Sequence, residues 1–146
     1  MPRIKTWRSA LFAALDAHRG KPFEWGVHDC AILAADAVAA MTGEDLASPY
    51  RGLYASAAEA TALLEENGFA DAVALAASRF EEIAPAKASV GDLAAVPVGG
   101  NSVPIALQGV GGLALGVVTG AVVQVMGPRG LAAVPLDAAV RAFRVG

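Results

Sequence analysis

The sequence predicts an α+β domain with helices first and strands after. Residues 1–84 are alanine-rich and charged, with apolar side chains at helical spacing. Residues 85–146 are rich in Val, Gly and Pro and break into short apolar runs. Helices followed by strands in one chain point to α+β rather than to alternating βαβ units. A length of 146 residues fits a single domain, 1–146, able to bury a core of its own. No fixed-period repeat is visible.

The elements follow in order. Thr6 stands as N-cap before a first helix whose Trp7, Leu11, Ala14 and Leu15 form one apolar stripe. Gly20 and Pro22 end it. Phe23-Glu24-Trp25-Gly26 reads as a turning segment, and Asp29 as the cap of a second helix over 30–41, stopped by Gly43. Ser56-Ala57-Ala58-Glu59 is a capping box opening a third helix, which Gly68 closes. A fourth covers 71–80. About five strands are expected, at 93–96, 105–107, 113–119, 122–126 and 131–134. A short helix near 137–142 and a terminal Phe143-Arg144-Val145 complete the chain.

Composition excludes several classes. Eleven Lys and Arg against fourteen Asp and Glu leave a net charge of −3, which argues against nucleic acid as a partner. One cysteine excludes an internal disulfide framework and a multi-thiolate metal site; two histidines argue against a His-rich one. No metal and no cofactor are expected. Residues 1–8 are basic, but the apolar run behind them is too short for a secretory signal, and Asp16, His18 and Arg19 follow at once. Residues 93–128 carry no charge, so a membrane span has to be weighed. Their dense glycines favour buried strands, and no integral membrane segment is expected. A hydrophobic share of 55% hints at surface buried in an assembly.

Cys30 carries the chemistry if any residue does. It follows Asp29 at a helix start, where free N–H groups and the helix dipole favour a thiolate. The alternative is a small buried apolar residue, as most free cysteines are. His28, two residues earlier, is a possible base for it. His18 reads as a surface histidine at a helix end. Arg51 between Tyr50 and Tyr54 suits a carboxylate or a peptide strand, or else pairs with Asp36, Glu44 or Asp45 to fold the loop onto the core. Asp36 reads as a surface helix residue, or as a buried partner of Arg51. Asp92 reads as a turn cap. Trp7 and Trp25 read as core residues, with Trp25 also a candidate binding residue.

The pattern Phe23-x-Trp25-Gly26-x-x-Asp29-Cys30-x-x-Leu33 resembles the nucleophile motif of the NlpC-type cysteine peptidases, papain-like hydrolases of the bacterial cell wall. Gly91-Asp92-Leu93 and Ala114-Leu115-Gly116-Val117-Val118-Thr119-Gly120 resemble that family's later landmarks, in the right order. The resemblance implies a minimal papain-like fold with helices packed on a small antiparallel sheet. It also places the family's general-base histidine on Ala114, which cannot take a proton, and its third polar residue near Gln124. Base catalysis is typically worth ~10²–10⁴-fold, so its loss implies a poor hydrolase.

A fuller likeness is to small phage and prophage proteins with the pattern Trp-Gly-x-x-Asp-Cys, Ala-x-x-x-Asp, Gly, Tyr-Arg-Gly-x-Tyr. Here these are Trp25-Gly26, Asp29-Cys30, Ala31, Asp36, Gly43 and Tyr50-Arg51-Gly52-Leu53-Tyr54. Gly130-Leu131, Pro135-Leu136 and Phe143-Arg144 continue it. This implies genes near tail modules of phages, prophages or gene transfer agents. Three functions follow as expectations. One is a structural component of a phage-like tail on a degenerate scaffold, made in the bacterial cytoplasm, carried in the virion or tail particle, and bound to other tail proteins. The second is an active peptidase or amidase cutting peptidoglycan with Cys30 as nucleophile. The third is a binding module that uses the old cleft without turnover.

Overall fold

The computed structural model describes residues 1–97 and 112–146. Among these, four helices precede or border a six-stranded antiparallel sheet. The helices are α1 (Trp7–Asp16), α2 (Cys30–Thr42), α3 (Ala57–Glu66) and α4 (Ala72–Arg79). The strands are β1 (Glu81–Ile83), β2 (Leu93–Pro97), β3 (Leu113–Val118), β4 (Val122–Gly127), β5 (Gly130–Pro135) and β6 (Arg141–Arg144). They lie in the order β1-β6-β2-β3-β4-β5.

The caps of three helices are as their residue types dictate. Asp29 accepts from Ile32 N–H, Ser56 from Glu59 N–H and Asp71 from Ala74 N–H. Gly43 ends α2 at φ +85°, a left-handed position open to glycine. Thr6 precedes α1 without a side-chain cap. Because α2 is apolar around most of its circumference, it is buried along its whole length. It packs against α1 on one side and against β3 and β4 on the other.

Two segments differ from the expected elements. The helix expected at 137–142 is a short 3-10 turn, Leu136–Ala138, followed by β6. Arg141–Arg144 finds β1 on one side and β2 on the other to pair with, so its backbone groups bond across a sheet rather than within a helix. β1 was not expected; it exists because Glu81–Ile83 finds β6 to pair with, opposite Arg144, Phe143 and Ala142. The strand expected at 105–107 lies outside the described residues. No helix among the described residues is long and apolar enough to cross a membrane, and the described part of the uncharged stretch forms β2, β3 and β4.

A clasp joins the two halves of the chain. Arg3 donates from Nε to Val145 O at 2.7 Å, from Nη1 to Val90 O at 3.1 Å and from Nη2 to Asp92 Oδ1 at 3.1 Å. Asp92 also accepts from Val145 N–H at 3.1 Å and Ser89 N–H at 3.0 Å, so it caps its turn and holds both termini.

Gly116 marks the tightest place in the sheet. A Cβ there would stand 2.5 Å from Val123 Cγ1 and 2.6 Å from Gln124 O. Gly116→Ala therefore overpacks a fully buried site and is expected to cost about 1–3 kcal/mol, read as a lower urea midpoint with an unchanged m-value.

Candidate functional site

The site is assembled around one buried carboxylate. Asp29 Oδ1 accepts from Ile32 N–H at 2.8 Å, which starts α2. Its Oδ2 accepts from Gly26 N–H at 2.8 Å and from Tyr54 Oη at 2.5 Å. Gly26 is at φ +80°, and a Cβ there would fall 2.9 Å from Tyr54 O. Gly52 N–H donates to Gly26 O at 3.1 Å. The Trp-Gly turn and the Tyr-Arg-Gly-x-Tyr loop are thus bound side by side. Burial and the Asp29 charge both push the Tyr54 phenol up, so it stays a donor.

Beside this node lies an apolar cleft of about 90 Å³, bordered by Trp25, Cys30, Tyr50, Tyr54, Leu113 and Leu115 among others. Trp25 makes an edge contact with Phe23 at 4.9 Å between ring centres. Of the four candidate binding residues, Trp25, Tyr50 and Tyr54 border the cleft. Arg51 does not; it donates to Asp36 Oδ1 at 2.5 Å and to Asp45 Oδ1 at 2.9 Å, folding its loop onto α2.

Cys30 opens α2 as expected, but its thiolate is not favoured. The residue is 3% exposed, and burial pushes its thiol up to about 12, opposed only in part by the Met126 backbone N–H. The nearby charge of Asp29 acts in the same direction as burial. No hydrogen bond joins Cys30 to a histidine among the described residues.

His28 is committed elsewhere. Its Nδ1 lies 2.9 Å from Nδ1 of His18, and His18 Nε2 lies 2.6 Å from Asp36 Oδ2. Hydrogen placement follows from the partners: His18 donates to the carboxylate from Nε2 and accepts from His28 at Nδ1. Asp45, Arg51, Asp36, His18 and His28 thereby form one continuous chain of polar contacts. Burial pushes the Asp36 carboxyl up, but the hydrogen bonds from His18 and Arg51 outweigh it and hold the group below its ordinary value.

His18 corrects the sequence reading. It is 2% exposed rather than a surface residue. The signal was present, since Leu11, Leu15 and His18 fall at i, i+4, i+7 on the buried stripe of α1 and the turn after it.

Ala114 is fully buried and sits opposite Val96 in the ladder. The same register pairs Ala95 with Leu115 and Pro97 with Leu113. Strand alternation therefore puts Ala114 on one face of β3 and the two cleft leucines on the other. Among the described residues, the side chains of β2 and β3 at this end are all apolar and supply no proton acceptor. Gln124 is half-buried in β4 and reaches Thr119 Oγ1 at 3.4 Å.

Fold and site together define an α+β domain with a helix-start cysteine beside an apolar cleft and, among the described residues, no histidine hydrogen-bonded to that cysteine. The chain belongs to the family whose model is described as a domain of unknown function, DUF6950, which matches residues 2–145. No curated protein and no solved structure matches the chain.

Two predictions follow from the charges. Folded protein is expected to alkylate at Cys30 far more slowly than urea-unfolded protein at pH 8. An unfolded thiol ionises near ~8.5, so stability is full below that pH and falls as pH rises toward about 12; urea midpoints across this range, compared with Cys30→Ala, check it. On the acid side, the stability from Asp36 is present above its ordinary carboxylate value of ~3.9 and is lost as pH falls through its lowered folded value. Asp36→Asn is expected to cost about 1–3 kcal/mol at pH 7 and to flatten that acid limb in the same measurement.

Proposed function

We propose that this chain is a catalytically silent assembly component of a phage-like tail, built on a degenerate NlpC-type scaffold. The observation that carries the silent half is Cys30, buried and without an imidazole at its sulfur. A cysteine hydrolase needs a thiolate, made by a neighbouring base or by a lowered pKa. Here the thiol is pushed up, and the histidine nearest in sequence spends its Nδ1 on His18.

The scaffold half is supported by the order of parts. A helix-start cysteine stands ahead of an antiparallel sheet, with Trp25-Gly26 before it and Gly91-Asp92-Leu93 leading into β2. The motifs shared with small phage and prophage proteins also have structural work here. Asp29 holds Tyr54, and Asp36 holds Arg51. These residues explain one another through folding, with no turnover required. On this reading the protein is made in the bacterial cytoplasm, resides in the tail particle beside other tail proteins, and meets peptidoglycan only as a neighbour of the tail tip.

The test has two readouts. Purified protein incubated with cell-wall muropeptides is expected to release no more product than Cys30→Ala. Particles purified from a producing strain are expected to hold the chain at fixed stoichiometry. Turnover that disappears in Cys30→Ala would establish a peptidase instead, and absence from the particles would remove the tail assignment.

A further inference from the structure

The two edges of the sheet are finished differently. β1 is three residues long and carries Glu81 and Glu82, held by Arg144 at 3.1 Å and Arg141 at 2.8 Å from β6. Charges on a short edge strand discourage further pairing. β5, the opposite edge, runs six residues from Gly130 to Pro135 without a charge, and Ala132, Ala133 and Pro135 are exposed.

The direction of its backbone groups follows from the turn. Gly127 and Gly130 close a two-residue hairpin, so they form a hydrogen-bonded pair. Alternation then turns Gly130, Ala132 and Val134 toward β4, and Leu131, Ala133 and Pro135 away from it. The bond from Leu136 N–H to Ala121 O, at 2.9 Å, keeps the same alternation. Among the described residues no strand pairs with the outer side of β5, which offers the N–H groups of Leu131 and Ala133 and the carbonyls of Leu131, Ala133 and Pro135. Proline sits where its missing N–H breaks no bond to β4.

We propose that this edge pairs with the same edge of a second copy, antiparallel about a two-fold axis at Ala133. The two six-stranded sheets then run on as one. Ala133 of each copy donates to the Ala133 carbonyl of the other, and each Leu131 donates to the other copy's Pro135 carbonyl.

Charge selects this occupant. Arg129 stands just before β5 and Asp137 just after it; both are exposed, and neither is in an ion pair among the described residues. With Ala133 opposite Ala133, residue 129 of one copy falls opposite residue 137 of the other, and this happens twice. A parallel arrangement would bring like charges together instead. The contact is isologous, so it closes at a dimer. It is also small, which places it among weak, concentration-dependent associations. It goes beyond the tail reading and does not rest on it.

Sedimentation velocity from about 1 μM to about 1 mM is expected to show a monomer–dimer shift. Ala133→Pro removes the central outward N–H while leaving the β4 ladder intact, and is expected to weaken dimerisation at least tenfold. Arg129→Asp and Asp137→Arg are each expected to weaken it similarly, and the double exchange to restore it. Thermal melts of the dilute variants check that each folds. A monomer at every concentration, a dimer indifferent to Ala133→Pro, or a double exchange no better than either single change would overturn the proposal.

Discussion

The Asp29 carboxylate is the constraint on which the site depends. It is 3% exposed and has no cation beside it among the described residues. A carboxylate can be held in such a place only if its lone pairs are filled. Three donors fill them, from the start of α2, the Trp-Gly turn and the Tyr54 loop. Each donor comes from a different segment, so one side chain sets the relative positions of Trp25, Cys30 and Tyr54. The spacing of Trp25-Gly26, Asp29-Cys30 and Tyr54 is in this sense a folding requirement before it is a chemical one.

Two opposing effects act on the thiol next to it, and their sizes decide the outcome. A helix start favours negative charge by about 0.3–1 kcal/mol in ordinary settings. Withdrawing an ion from water costs several kcal/mol. At Cys30 the second is larger, and the adjacent carboxylate adds to it. A papain-like enzyme overcomes such a cost by pairing the thiolate with an imidazolium. Here the two histidines are drawn into a separate polar chain ending on Asp36 and Arg51.

Much of this was legible in the sequence where local rules decide. The caps of α2 and α3, the stop at Gly43 and the strands β2 to β5 follow from residue type and spacing. The pairing of Arg51 with Asp36 and Asp45 was among the readings that charge alone suggested. What was not legible depends on distant partners. β1 has no signal until β6 arrives from the far end of the chain. Arg3 reads as one of several basic residues near the N-terminus until Asp92 and Val145 surround it. The helix-start rule for cysteine favours a thiolate, but burial, which depends on how distant segments pack around Cys30, outweighs it, and the structure takes the other reading, a small buried apolar residue.

The clasp around Arg3 has a mechanical meaning. Residues 3 and 145 are stapled directly to each other and to Asp92 at the entrance to β2. Tension applied between those two points is carried in part by that short circuit of charged and backbone groups. The staple acts in parallel with the sheet, so it shares any load applied between residues 3 and 145 and passes part of it to the entrance of β2.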